Sequence, residues 1–87
     1  MMQTKVIIKA DEALEYAGFC EPDDAPQPIE IRGKGGRTLA VEGGGVRCEL
    51  EIVSGDTPLT LEIVSRSGNR SRTSTTGPGS KVRLKVG

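Results

Sequence analysis

Apolar and polar residues alternate along most of this chain, and glycine- or proline-rich breaks interrupt the alternation every few residues. Leu50-Glu51-Ile52-Val53-Ser54 returns as Leu61-Glu62-Ile63-Val64-Ser65, with Gly55-Asp56-Thr57-Pro58 between the copies. A period of two places Cys48, Leu50 and Ile52 on one side of a strand and Glu49 and Glu51 on the other. Leu59, Leu61 and Ile63 share a side in the second copy, and Glu62 points away from them. Two such runs about a short Gly/Asp/Pro turn predict a central β-hairpin. Residues 29–32 and 37–42 predict a second hairpin across Gly33-Lys34-Gly35-Gly36, in which Ile29 and Ile31 meet Leu39 and Val41. Residues 5–10 form a first, β-branched strand. Residues 81–86 close the chain as a strand with Val82, Leu84 and Val86 on one face and Lys81, Arg83 and Lys85 on the other.

The remaining segments break the pattern. Asp11 can cap a short helix over residues 11–17 that stops at Gly18, with acids in its first turn. The competing reading is a strand with Leu14 and Tyr16 on one side. Either way Phe19 and Cys20 return to the core. Residues 21–28 hold three prolines and read as an extended acidic connector, since proline suits neither a helix interior nor a central strand. Residues 66–80 are polar throughout and form a loop or a solvent-exposed edge strand. The sum is six to eight short strands at about ten-residue spacing. The fold class is therefore all-β, a small antiparallel β-sandwich or barrel, with at most one short helix. Residues 1–87 make a single domain.

Composition adds a shortage. One Phe, one Tyr and no Trp leave a core of Val, Ile and Leu, and aromatic rings are the side chains that bury the most area each. A core this thin gains from burial against another subunit, which favours self-association or a protein partner. The two cysteines, Cys20 and Cys48, are too few for a disulfide scaffold, so reduced, buried thiols are expected, with one bridge as the alternative. No export signal or membrane-length apolar run is present, which gives an intracellular or virion location and no membrane contact.

The chemistry of catalysis is scarce. The chain has no histidine, which removes the commonest general base and the usual zinc ligand. Glu49, Glu51 and Glu62 lie on an outer surface, not across a cleft. Gly33-Lys34-Gly35-Gly36 lacks the spacing of a phosphate-binding loop, and Asp23-Asp24 falls short of a calcium ligand set. No catalytic, cofactor-binding or metal-binding residue is assigned, and an enzyme is not expected.

Charge is the informative remainder. The chain carries 12 basic and 12 acidic residues, but residues 64–87 contain Arg66, Arg70, Arg72, Lys81, Arg83 and Lys85 and no acid. If the last strand lies beside the central hairpin, its bases meet Glu49, Glu51 and Glu62 across the sheet. Arg66, Arg70 and Arg72 then remain for phosphate or an acidic partner. Val6-Ile7-Ile8-Lys9-Ala10, Gly18-Phe19, Lys34-Gly35 and Val46-Arg47 fall in an order that resembles the trp RNA-binding attenuation protein family, whose β-sandwich rings bind single-stranded RNA. The resemblance implies RNA contacts for Lys34 and Arg47. It departs from the family at Gly45, where a lysine is usual, and shows no tryptophan-binding loop at residues 20–25 or 42–45. Two functions follow as expectations. The first is a non-catalytic structural or protein-binding part of an oligomeric assembly, such as a small phage or virion protein or a phage-encoded inhibitor. The second is a single-stranded RNA-binding ring that uses Lys34, Arg47, Arg66, Arg70 and Arg72.

Overall fold

The computed structural model describes residues 3–25 and 27–87. Eight strands lie among the described residues: β1 (Thr4–Lys9), β2 (Glu15–Pro22), β3 (Ile29–Lys34), β4 (Arg37–Val41), β5 (Val46–Ser54), β6 (Leu59–Val64), β7 (Arg70–Thr75) and β8 (Lys81–Val86). They form two four-stranded sheets packed as an antiparallel sandwich. Sheet A has the order β4-β1-β6-β7 and sheet B the order β3-β2-β5-β8.

The pairings divide the chain into two bent ribbons. In the first, β2 pairs with β3 in sheet B while β1 pairs with β4 in sheet A. In the second, β6 pairs with β7 in sheet A while β5 pairs with β8 in sheet B. The β1·β6 and β2·β5 pairings join the ribbons. Exchanging β1–β4 for β5–β8 maps every pairing onto another, so the topology has a two-fold repeat. This layout leaves β3, β4, β7 and β8 as edges and puts the four most buried strands at the centre.

Both expected hairpins are corrected by this topology. β5 and β6 are not neighbours: they lie in opposite sheets, and the repeated phrase faces itself across the core. Leu50 and Ile52 from one wall and Leu61 and Ile63 from the other are fully buried in the same cluster. β3 and β4 are likewise in opposite sheets. Alternation specifies which side of a strand is apolar, and that side is the same whether two strands lie edge to edge or face to face.

The short helix over residues 11–17 is also corrected. Asp11 makes a turn: its backbone oxygen accepts from the Leu14 amide (3.0 Å) and its carboxylate from the Ala13 amide (3.1 Å). An aspartate that caps a helix also closes a tight turn, and a helix this short has little stability of its own. Leu14 and Tyr16 are both buried, as the strand alternative requires. The acidic connector is shorter than expected, because Glu21 and Pro22 belong to β2; Pro26 lies outside the described residues. Residues 70–75, read as loop or edge strand, form the edge strand β7.

Cys20 and Cys48 are register partners on β2 and β5, and they form a disulfide. The expectation of reduced thiols is thus replaced by its alternative. Their neighbour Gly18 lets the two strands approach closely: a Cβ there would overlap the Glu49 carbonyl oxygen and press on Leu50 Cα at 2.8 Å. Apart from this disulfide and Tyr16 the core is aliphatic, and the Tyr16 hydroxyl donates to the Gly35 carbonyl at 2.7 Å. Burial raises the Tyr16 pKa above its ordinary value, with Arg37 pulling weakly in the other direction.

Candidate functional site

The surfaces available for function are the two outer sheet faces. The register assigns their side chains. On sheet B, Glu30, Arg32 and Lys34 of β3 lie beside Phe19, Ala17 and Glu15 of β2. On the other side of β2, Phe19 stands opposite Glu49, Ala17 opposite Glu51 and Glu21 opposite Arg47 of β5. The last strand completes the face: Arg83 lies opposite Glu49 and Lys81 opposite Glu51.

The internal charge ladder forms only in part: Arg83 and Lys81 meet Glu49 and Glu51 of β5, whereas Lys85 stands opposite Arg47 and Glu62 lies in the other sheet. Arg83 Nε is 2.6 Å from Glu49 Oε1, and Lys81 Nζ is 3.8 Å from Glu51 Oε1. Arg47 pairs with Glu21 and also sits over the Phe19 ring, 5.4 Å from its centroid. Such a cation–π contact holds both side chains at small cost.

Phe19 is the feature that the sequence misplaced. It points outward with Ala17, not into the core with Cys20. The period of two forces this once Cys20 is inward, since adjacent residues of a strand face opposite ways. Phe19, Ala17 and Val53 (48% exposed) form an apolar strip in the middle of an otherwise charged face. A shallow concavity lies along the strip, lined by Ala17, Gly18, Phe19, Glu49, Glu51 and Val53.

Sheet A presents a different surface. Its outward positions are Lys5, Ile7 and Lys9 of β1, Thr60, Glu62 and Val64 of β6, and Arg70, Arg72 and Ser74 of β7. Glu62 sits at the centre and is 2% exposed. Its carboxylate lies 3.3 Å from Arg70 Nη1 and 3.7 Å from Lys9 Nζ, and Oε2 has no hydrogen-bond partner among the described residues. Lys5 and Arg72 make no ion pair among the described residues. Lys5 and Lys9 were not singled out in the sequence, although their alternation with Val6 and Ile8 places them outward.

The five expected contact residues thus fall into two groups. Arg70 and Arg72 share the outer face of sheet A, and Arg66 lies in the exposed loop that joins β6 to β7. Lys34 and Arg47 are on sheet B, on strands β3 and β5 with β2 between them. They do not make one surface with the arginines. Arg70 is tied to Glu62 rather than unpaired as expected.

Among the described residues no three side chains of metal-ligating type come together, and no helix is long and apolar enough to cross a membrane. Comparison with protein-family models, with curated proteins and with solved structures yields no match for the chain.

Proposed function

We propose that the protein is a non-catalytic β-sandwich module that self-associates, or docks on another protein, through the outer face of sheet B. The observation that carries this reading is the strip of Phe19, Ala17 and Val53 inside a ring of charged side chains. An apolar centre with a polar rim is the anatomy of a protein interface, and Phe and Arg are enriched there. Arg47 is held over Phe19 before any partner arrives, which lowers the ordering cost of binding. Acidic and basic residues interleave across the face, so a second copy related by a two-fold axis can set glutamates against arginines and lysines. The thin aliphatic core supports the same reading, because association would add buried area.

A small capsid-decorating, tail or inhibitory phage protein would use such a module. The bonded Cys20–Cys48 pair suits the exterior of a virion better than a reducing cytosol. Light scattering on the wild type and on Phe19→Glu tests the reading. A concentration-dependent dimer or higher oligomer is expected for the wild type, and a monomer with an unchanged circular dichroism spectrum for the variant. A wild type that stays monomeric at every accessible concentration, or a variant that associates equally well, overturns self-association.

A further inference from the structure

The outer face of sheet A holds four cationic side chains around one carboxylate. In the register, Arg72 stands directly opposite Glu62 on β7, with Arg70 one row away. Lys5 and Lys9 flank the same row on β1, since Ile7 is the partner of Glu62. Arg66 leaves from the end of β6 in the adjoining loop. The long side chains rise from the strands and leave Glu62 2% exposed at the floor, so a ligand meets the cations first. Sheet B has no such excess: its outer face sets Glu15, Glu21, Glu30, Glu49 and Glu51 against Arg32, Lys34, Arg47, Lys81, Arg83 and Lys85, and Glu21, Glu49 and Glu51 are in ion pairs.

We propose that this face binds the phosphate backbone of a nucleic acid, and that Glu62 is a built-in counter-charge that limits its affinity. β1 and β7 are two strand spacings apart, about 10 Å, and Lys5 and Lys9 are about 14 Å apart along their strand. Duplex nucleic acid carries one negative charge per roughly 1.7 Å of axis, so a patch of this size meets several phosphates at once. A protein segment reaches that charge density only in an unbroken acidic run. The guanidinium groups of Arg70 and Arg72 match phosphate in a bidentate fashion. Ile7, Val64, Thr60, Ser74, Thr38 and Ala40 supply the rest of the surface, and none is a ring on which a base could stack. Binding is therefore to the backbone, independent of sequence, and steeply dependent on salt.

Glu62 holds Lys9 and Arg70 in place and subtracts one charge from the centre of the face. Its Oε2 atom, without a hydrogen-bond partner among the described residues, gains nothing from an approaching phosphate and repels it. The cationic face and the face proposed for association belong to different sheets, so either role can fail alone.

Fluorescence anisotropy with labelled single-stranded RNA, single-stranded DNA and duplex DNA at about 50 mM salt tests it, since a phosphate-led contact is strongest there. Three or four phosphate contacts predict a slope of log affinity on log salt of about −2 to −3 for a single strand. The double variant Lys5→Gln, Arg72→Gln removes two cations without breaking an ion pair, and is expected to weaken binding at least about tenfold. Lys81→Gln with Arg83→Gln on sheet B should leave affinity within about twofold, and Glu62→Gln should tighten it several-fold. Thermal unfolding of each variant confirms that it is folded. No binding to any of the three probes overturns the proposal. So does equal weakening by the sheet B variant, or tighter binding to polyglutamate or to phosphatidylserine vesicles than to nucleic acid.

Discussion

The hydroxyl of Tyr16 donates a 2.7 Å hydrogen bond to the carbonyl oxygen of Gly35, across nineteen positions of sequence. Gly35 has φ of +77°, a conformation that glycine adopts without strain, and it lies between β3 and β4 where the chain leaves one sheet for the other. The bond thus ties the first ribbon's crossing to the core residue with the largest side chain.

Burial raises the Tyr16 pKa, so the folded state holds its proton more tightly than the unfolded chain. The resulting stabilisation is present below the ordinary tyrosine value of about 10 and is lost as pH rises through the folded-state value. Tyr16 is the sole tyrosine, so tyrosinate absorbance follows this group alone. Its alkaline titration should be displaced upward and coincide with unfolding. Tyr16→Phe should cost about 1–3 kcal/mol, because it leaves the Gly35 carbonyl without that partner. A titration at the ordinary tyrosine value in the folded protein would show that the hydroxyl is not buried.

Gly18 sets how closely β2 and β5 approach. The methyl of Gly18→Ala meets backbone atoms of Glu49 and Leu50, which cannot turn aside as a flexible side chain can. A loss of at least about 3 kcal/mol, or failure to fold, is expected in urea unfolding, because overpacking against backbone has no cheap relaxation. A loss under about 1 kcal/mol would contradict the close approach.

The Cys20–Cys48 bond closes a span of 28 positions. Replacing both residues with alanine should lower stability by about 3–4 kcal/mol, in line with the chain entropy of a loop of that length. Thiol labelling of the wild type under denaturing conditions without reductant should find no free cysteine. Two reactive thiols would restore the expectation of reduced side chains.

The β5–β8 ladder should be real but small. Glu49 and Arg83 are solvent-accessible enough that their coupling, measured in a double-mutant cycle with glutamine at both positions, should be about 0.2–1 kcal/mol and should shrink with added salt. Coupling that does not respond to salt would mean that the pair acts through packing instead.

This ladder was legible in the sequence because it needs only two facts, strict alternation and complementary charge. The strands themselves were legible for the same reason, from Lys5-Val6-Ile7-Ile8 to Lys81-Val82-Arg83-Leu84. Partner choice was not. Leu50 and Leu61 begin identical phrases and line opposite walls of the core, and nothing in a two-residue period separates facing strands from adjacent ones. The two-fold repeat of pairings is equally silent, since the repeated phrase lies within one ribbon rather than relating the two. Phe19 was misplaced because its apolar character outweighed its phase relative to Cys20. The cationic face of sheet A was hidden because Lys5 and Lys9 are separated in sequence from Arg70 and Arg72 by some sixty positions. Only the β1·β6 pairing brings them to one surface.

Association through sheet B is tested most directly by following backbone amide resonances of isotope-labelled protein across a dilution series. Concentration-dependent shifts centred on Ala17, Phe19, Arg47 and Val53, absent in Phe19→Glu, are the expected result. Shifts centred on Ile7, Glu62 and Val64, or none at any concentration, would contradict it.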